Sequence, residues 1–244
     1  MSQNNLSLSE IENINEKKLH VAMIMDGNRR YAVKKGFLKV KGHEFGAESF
    51  DKIVSSMKEL GSVNEFSFYT FSVQNFNRSE KEVAYIMNLF RKFFKKEINR
   101  LDEEGIMIKF LGRLDLFPED IKKMCLEAEE KTKNFKNYRI NFCFGYGGRE
   151  EITDAVKKIA LKVDIGEIKP ADVNEELISS YLYSNHEPDI IIRTGGDFRT
   201  SNFMPWQSTY SEWFFVDKLW PEFTIDDLKK CISDFKNRNR RFGK

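Results

Sequence analysis

Residues 20–30 read HVAMIM and then DGNRR. A largely apolar run of six residues that stops at an acid and a glycine is the pattern of a short buried strand, and the Asn and two Arg that follow open a helix. The same alternation continues along the chain. Phe45 to Leu60 repeats apolar residues at helical spacing and stops at Gly61, placed to take the left-handed conformation that ends a helix. Glu65 to Phe71 (EFSFYTF) is a second strand. Ser79 with Glu82 three residues on predicts a capping box at the head of a long helix that Gly105 closes. Ile106 to Leu111 is a third strand. Pro118 sits where a first helical residue belongs, with Glu119 and Asp120 suited to the positive end of the helix dipole. Tyr138 to Phe144 (YRINFCF), a helix from about Arg149, the strand Asp189 to Arg193 (DIIIR) and a final helix capped by Thr224 and Asp227 complete the series. Strands alternating with helices in this way predict an α/β fold, a single domain with a mostly parallel central sheet flanked by helices. The nearest thing to a linker, Asp164 to Asp172, is too short to divide it. Residues 18–244 therefore read as one domain behind a flexible N-terminal segment, residues 1–17.

The 244 residues are 41 % hydrophobic, enough for a substantial core, and Lys plus Arg exceed Asp plus Glu by only 40 − 38 = 2. That balance argues against nucleic-acid binding by bulk charge. No run approaches the roughly 20 apolar residues of a transmembrane helix, and the polar, acidic start lacks the basic-then-apolar layout of a signal peptide. Cys125, Cys143 and Cys231 are scattered without a CxxC pair, which predicts buried thiols in a reducing cytoplasm rather than a zinc site.

In parallel sheets, ligands bind beyond the carboxyl ends of the strands, and four such places here carry unusual polar residues. After the first strand, Asp26-Gly27-Asn28-Arg29-Arg30 suits a diphosphate: helix amides and guanidinium groups for phosphate oxygens, a carboxylate for a hard cation bridging to them. From Lys17 to His43 there are eight Lys or Arg and Asp26 is the one acid. A solvated basic helix after a turn fits the same residues. After the second strand, Ser72 to Arg78 (SVQNFNR) again offers donors, with Phe76 to cover an apolar group; an ordinary polar turn fits as well. After the fourth, Gly145-Tyr146-Gly147-Gly148-Arg149 allows close backbone approach or a tight turn, and neither GxGxxG nor GxxxxGK[ST] occurs. After the fifth, Arg193 to Asn202 (RTGGDFRTSN) crowds cations, hydroxyls and an amide beside a buried strand, a costly arrangement without an anion to satisfy it. Glu212, among Tyr210, Trp213, Phe214 and Phe215, reads either as a metal ligand or as the polar face of an edge strand. His20, His43 and His186 are too dispersed for a transition-metal site. His43, in Lys41-Gly42-His43, suits a phosphate donor or proton shuttle, or a structural role. The stripe Val83, Ile86, Met87, Leu89, Phe90, Phe93, Phe94, Ile98 and Leu101 is core, and wide enough to wall an apolar cavity.

Together these segments resemble the cis-prenyltransferases, and among them the undecaprenyl-diphosphate-synthase-like enzymes. HVAMIMDGNRRYA (20–32), Gly42-His43, FSVQNFNRS (71–79), NFCFGYGGR (141–149), RTGGDFRTSNFMPWQSTYSEWFF (193–215), LWPEF (219–223) and RNRRFG (238–243) follow that family's order and spacing over about residues 18–243. The DDxxD of trans-type prenyl synthases is absent.

The resemblance implies a cis-prenyltransferase catalytic domain that adds isopentenyl diphosphate repeatedly to an allylic diphosphate, commonly farnesyl diphosphate, with Mg²⁺ as cofactor. By similarity, Asp26 binds Mg²⁺ and is essential. Gly27, Asn28, Arg29 and Arg30 cradle the allylic diphosphate, with Tyr31, Lys39 and His43 nearby. Ser72, Val73, Gln74, Asn75, Phe76 and Arg78 form the next loop, where Asn75 takes part in proton removal. Arg193, Arg199, Thr200 and Ser201 hold isopentenyl diphosphate, and Glu212 supplies a further Mg²⁺ contact. Arg241 and Gly243 resemble a tail motif that reaches the partner's site in a homodimer. The resemblance also implies a hydrophobic tunnel for the growing chain, a cytoplasmic enzyme, and transient contact with a membrane surface when the lipid product leaves. Lys39 stands where Arg is common, Gln74 and Asp197 each replace a frequent Glu, and Phe76 replaces a frequent Trp. Met204-Pro205 replaces a usual Leu pair. Phe144 is bulkier than the small residue often found in its strand, which predicts a narrower tunnel and a shorter product. A catalytically silent accessory subunit of the same family lacks the acid and phosphate residues; Asp26, Asn75, Arg193, Arg199 and Ser201 are all present here.

Overall fold

The computed structural model describes residues 18–238. The segment expected to be flexible, residues 1–17, and the tail residues Arg241 and Gly243 lie outside the described residues. β1 (Leu19–Ile24) is buried along its whole length, as an apolar run with a neighbour on each side must be. β2 (Val63–Ser72), β3 (Ile106–Leu111), β4 (Tyr138–Tyr146), β5 (Ile190–Thr194) and β6 (Glu212–Val216) join it in one sheet ordered β3-β4-β2-β1-β5-β6. Every pairing is parallel. The expected mostly parallel sheet is thus parallel throughout the described residues, and Glu212 opens an edge strand that pairs with β5 from Ile190 to Thr194.

The helices are α1 (Asn28–Lys34), α2 (Gly42–Ser55), α3 (Met57–Leu60), α4 (Glu80–Glu103), α5 (Glu119–Thr132), α6 (Gly148–Asp164), α7 (Glu175–Tyr181) and α8 (Ile225–Lys236). After β1 the chain passes to β2 on one side of the sheet, and after β5 it passes to β6 on the other. Loops leaving these two adjacent carboxyl ends diverge and open a crevice between them. Asp26 and Arg193 stand there.

One face of the sheet carries an aromatic core in which Phe66, Phe68, Phe142 and Phe144 meet Phe50 of α2 and Phe90 and Phe94 of α4. Each buried Phe stabilises by about 1.5–3 kcal/mol, and ring pairs such as Phe50–Phe68 at 4.5 Å add about 0.5–1.5 kcal/mol. The opposite face packs Ala22, Cys143, Tyr146, Ile191 and Phe203. Beside them runs a buried polar chain in which His20 Nε2 meets Ser67 Oγ at 2.7 Å and Asn141 donates to both Ser67 and Glu65. All three cysteines are buried as free thiols.

Local expectations hold in outline and shift in detail. The helix expected over 45–60 begins earlier, at Gly42, and breaks at Ser56, whose hydroxyl donates to Ile53 O (2.7 Å); Gly61 takes the left-handed φ of +61°. Pro118 is the capping residue rather than the first helical one. Thr224 and Asp227 form their capping box. At α4, Ser79 Oγ accepts from the Glu82 N–H (3.3 Å), but the Glu82 carboxylate turns to the cations of the crevice. Residues 164–172 carry a single 3₁₀ turn, Pro170–Asp172, inside the one domain.

Candidate active site

The turn after β1 is built for close approach. Gly27 caps α1 at φ +109°, and a Cβ there would lie 2.9 Å from the Leu219 backbone, so no other residue fits without movement. Asn28 Nδ2 donates to Met25 O (3.2 Å), while its Oδ1 is buried without a partner. Gly42 lets α2 start against this turn, since a Cβ there would sit 2.1 Å from Asn28 O. His43, next in α2, is therefore drawn under α1. Its burial, and secondarily the Arg78 charge, pushes its pKa down to about 4 despite Glu82. It is neutral at pH 7, with Nε2 buried and unpartnered. Asp26, Gly27, Asn28, Arg29, Arg30, His43 and Arg78 line a cavity of about 270 Å³. Glu82 serves as the counter-ion there, 3.1 Å from Arg78 and 3.7 Å from Arg29.

The second cavity, about 910 Å³, lies between the ends of β1, β2, β4 and β5 and is lined among others by Asp26, Ser72, Gln74, Asn75, Arg78, Arg193, Thr200 and Ser201. Arg193 is its anchor. Its side chain is 3 % exposed, and it donates to Asp26 Oδ2, Ser201 Oγ and Arg199 O, each at 2.7 Å, leaving Nε free of a partner. Arg30 bonds Gly195 O (2.7 Å) and stands 3.3 Å from Asp26 Oδ1. Arg199 pairs with Asp197 at 2.8 Å and lies 3.9 Å from Asp26. The loop that presents these groups is held in a costly shape, since Ser201, Asn202 and Met204 all have positive φ. Asn75 Oδ1 accepts from the Ser72 N–H (3.1 Å), which pins its amide at the cavity wall.

A third cavity, about 120 Å³ and apolar, opens beneath Asn28 and His43. Phe50, Phe71, Phe90, Phe93, Phe94, Phe142 and Phe144 wall it. It occupies the place of the expected tunnel but is short: a cavity of about 150 Å³ holds one benzene. Phe144 accounts for this, stacked between Phe90 (4.1 Å) and Phe117 (3.9 Å).

Several expected residues do not reach these cavities. The Tyr31 ring packs edge-on against Phe45 (5.3 Å), Lys39 is exposed, and Phe76 turns into the core against Phe71 and Phe117. Val73 lies in the 3₁₀ turn behind Gln74 without lining them. Glu212 pairs with Ile190 at the amino end of β5, level with Val21, and bonds Arg238 (2.5 Å). Five residues along the strand separate it from the level of Asp26, roughly 16 Å at ~3.3 Å per residue, so within one chain it is no partner to Asp26. Conversely, Tyr69, Arg149, Glu150 and Asn202 line the larger cavity. Glu150 accepts from Gln74 (3.1 Å) and Asn202 (2.9 Å), and the Tyr69 hydroxyl donates to Ser201 O (3.2 Å). The Gly-Gly-Arg at the end of β4 is the signal for Arg149 and the amide closing RTGGDFRTSN the signal for Asn202; nothing local marks Tyr69 or Glu150.

Two cationic cavities that share Asp26 and Arg78, one of them opening onto an apolar cavity, define a protein that handles multiply anionic heads carrying an apolar tail. Known proteins agree. The family model described as "Putative undecaprenyl diphosphate synthase" matches residues 24–243. An isoprenyl transferase of Prochlorococcus marinus subsp. pastoris is 42 % identical over 243 residues, 99 % of this chain and 89 % of the relative. A tritrans,polycis-undecaprenyl-diphosphate synthase (geranylgeranyl-diphosphate specific) of Thermococcus kodakarensis is 45 % identical over 229 residues, 92 % of this chain and 86 % of the relative. The crystal structure of lavandulyl diphosphate synthase from Lavandula x intermedia, in complex with dimethylallyl diphosphate, superposes with a TM-score of 0.88 at 33 % identity, covering 92 % of this chain and 98 % of that one. The chain belongs to the undecaprenyl diphosphate synthase family, the cis-prenyltransferases, and is a prenyl-transferring enzyme of isoprenoid synthesis.

Proposed function

We propose that the chain elongates farnesyl diphosphate by repeated Mg²⁺-assisted addition of isopentenyl diphosphate to give a Z-polyprenyl diphosphate such as undecaprenyl diphosphate. The observation that carries this is the junction of the three cavities: Asp26 and Arg78 line both cationic ones, and Asn28 and His43 line both the smaller cationic cavity and the apolar one. An allylic diphosphate in the smaller cavity directs its tail into the apolar cavity, while isopentenyl diphosphate takes the Arg193–Ser201 side. Paired diphosphates repel strongly, and Arg29, Arg30, Arg78, Arg193 and Arg199 stabilise the charge that builds on the departing one. Asn75 works on the proton-removal step from its pinned position.

Among the described residues no three His, Cys, Asp or Glu converge on a metal-sized site. Mg²⁺ suits such a donor set, because it binds through one or two carboxylates and substrate phosphates. Asp26, at the junction, would hold it; when bound it would neutralise diphosphate charge and aid departure of the leaving group. A homodimer fits the sheet edge, where Phe215 of β6 stacks on Trp213 (5.7 Å) and meets Phe198, 77 % exposed. The enzyme works in the cytoplasm and meets the membrane when its product leaves; among the described residues no helix is long and apolar enough to cross one.

The short apolar cavity favours a second reading for chain length, in which the stacked rings stop growth early. Incubation with labelled isopentenyl diphosphate, Mg²⁺ and dimethylallyl, farnesyl or geranylgeranyl diphosphate, followed by sizing of the lipids, tests both. Long products from farnesyl diphosphate are expected; short products select the second reading, and no incorporation with any primer refutes the function.

A further inference from the structure

Between α1 and α2 the chain doubles back over residues 35–41. Phe37 N–H bonds Ala32 O (2.8 Å) and Gly36 N–H bonds Val33 O (3.0 Å), with Gly36 at φ +78°, the paired bonds that stop a helix in a fixed geometry. This turn holds Val33, Phe37 and Leu38 out in solvent, 54, 52 and 77 % exposed. Phe37 is steadied from beneath by Phe45 at 5.4 Å. Residues 29–41 contain no acid, and Lys34, Lys35, Lys39 and Lys41 surround the apolar tip. Lys34 and Lys41 are paired with Glu222 and Glu44, whereas among the described residues no carboxylate pairs with Lys35 or Lys39.

An isolated exposed apolar side chain is ordinary. Consecutive large apolar residues on an ordered tip, collared by lysines in a chain of almost no net charge, are not. That combination is complementary to an anionic bilayer surface: apolar side chains enter the interface and ammonium groups meet the headgroups. The position matters too. The turn joins the end of α1 to the start of α2, where His43, two residues past the turn, lines the apolar cavity together with Asn28, against whose carbonyl Gly42 packs. We propose that residues 33–41 form a docking tip for an anionic lipid surface, set beside the mouth by which an apolar product leaves. The inference rests on the proposed lipid product for its purpose, but not for the binding itself.

Full-length chain without substrate is sedimented with vesicles of phosphatidylcholine alone or half phosphatidylglycerol, at low and high salt. Wild type is expected to bind the anionic vesicles, more weakly at high salt. Leu38→Asp, which disturbs no packing, and the double variant Phe37→Ser with Leu38→Ser are expected to lose about tenfold or more of that binding. Leu161→Asp, on Leu161 of α6, which is 66 % exposed, is expected to retain it. No binding by wild type, unchanged binding by Leu38→Asp, or equal loss in Leu161→Asp overturns the proposal. So does a change in self-association of Leu38→Asp, by light scattering, with vesicle binding intact, since the tip would then be a protein contact. If wild type binds vesicles through the tip yet incorporates no isopentenyl diphosphate, the docking stands and the proposed reaction falls.

Discussion

Replacing Phe144 by Ala tests whether the stacked rings are the wall that a growing chain meets. Phe144 is 1 % exposed and lies nearly parallel to Phe90 (11°) and Phe117 (13°). Removing a buried ring costs about 3–5 kcal/mol, the lost transfer energy plus the cavity left behind. For a domain of this size that lowers the melting temperature by roughly 10 °C, at about 2–4 °C per kcal/mol. The vacated space adjoins the apolar cavity, and an isoprene unit entering it brings about five carbons at ~0.8 kcal/mol each, or about 4 kcal/mol. The loss in the free enzyme is therefore of the size that one additional bound unit returns. The variant is expected to fold with a depressed melting point, to regain much of it with a long allylic diphosphate bound, and to release products longer by about one unit. Labelled isopentenyl diphosphate, dephosphorylation and sizing of the lipid read the length, and thermal melts with and without ligand read the compensation. A folded Phe144→Ala enzyme with unchanged products would show that the chain grows past some other surface. Phe144→Leu should fall between.

Three further outcomes are expected. Asp26→Ala abolishes turnover while circular dichroism stays that of a folded chain, with a lowered melting temperature because the buried Arg193 loses its carboxylate partner; near-normal rates would remove Asp26 from the reaction. Arg199→Ala raises the KM for isopentenyl diphosphate more than that for the allylic primer; equal effects would show that Arg199 does not belong to one substrate's site, and a larger effect on the primer would reverse the two cavities. His43 is neutral in the folded state and, with its pKa near 4 against an ordinary 6.5, disfavours folding as it charges. Between those values the unfolded chain binds the extra proton, so stability is fully present above about pH 6.5 and falls by up to about 3 kcal/mol as pH drops toward 4; His43→Gln should flatten that part of the melting-temperature profile, and an unchanged slope would assign it to other groups.

What the sequence disclosed and what it did not divide along a physical line. Asp26, Asn28, Arg193 and Ser201 were legible because a parallel sheet puts every strand's carboxyl end on one side, so residues that merely follow buried runs converge without any pairing having to be inferred. Phe144 was legible as bulk, but its stack with Phe90 and Phe117 depends on where α4 and the turn before α5 lie against β4. Glu150 was invisible because its partners, Gln74 and Asn202, are 76 and 52 residues away. Glu212 shows the same thing in reverse: an acid in an aromatic run carries no sign of which end of its strand it occupies, and the fold sets it at the end away from Asp26 of its own chain. Glu82 shows most plainly how tertiary context overrides a local motif. Its spacing from Ser79 fits a capping box, an interaction of about 0.5–2 kcal/mol. Arg29 and Arg78, beside the buried neutral ring of His43, present a positive field that needs a carboxylate more than the helix end does. The side chain goes where the charge is: 3.1 Å from Arg78 and 3.7 Å from Arg29.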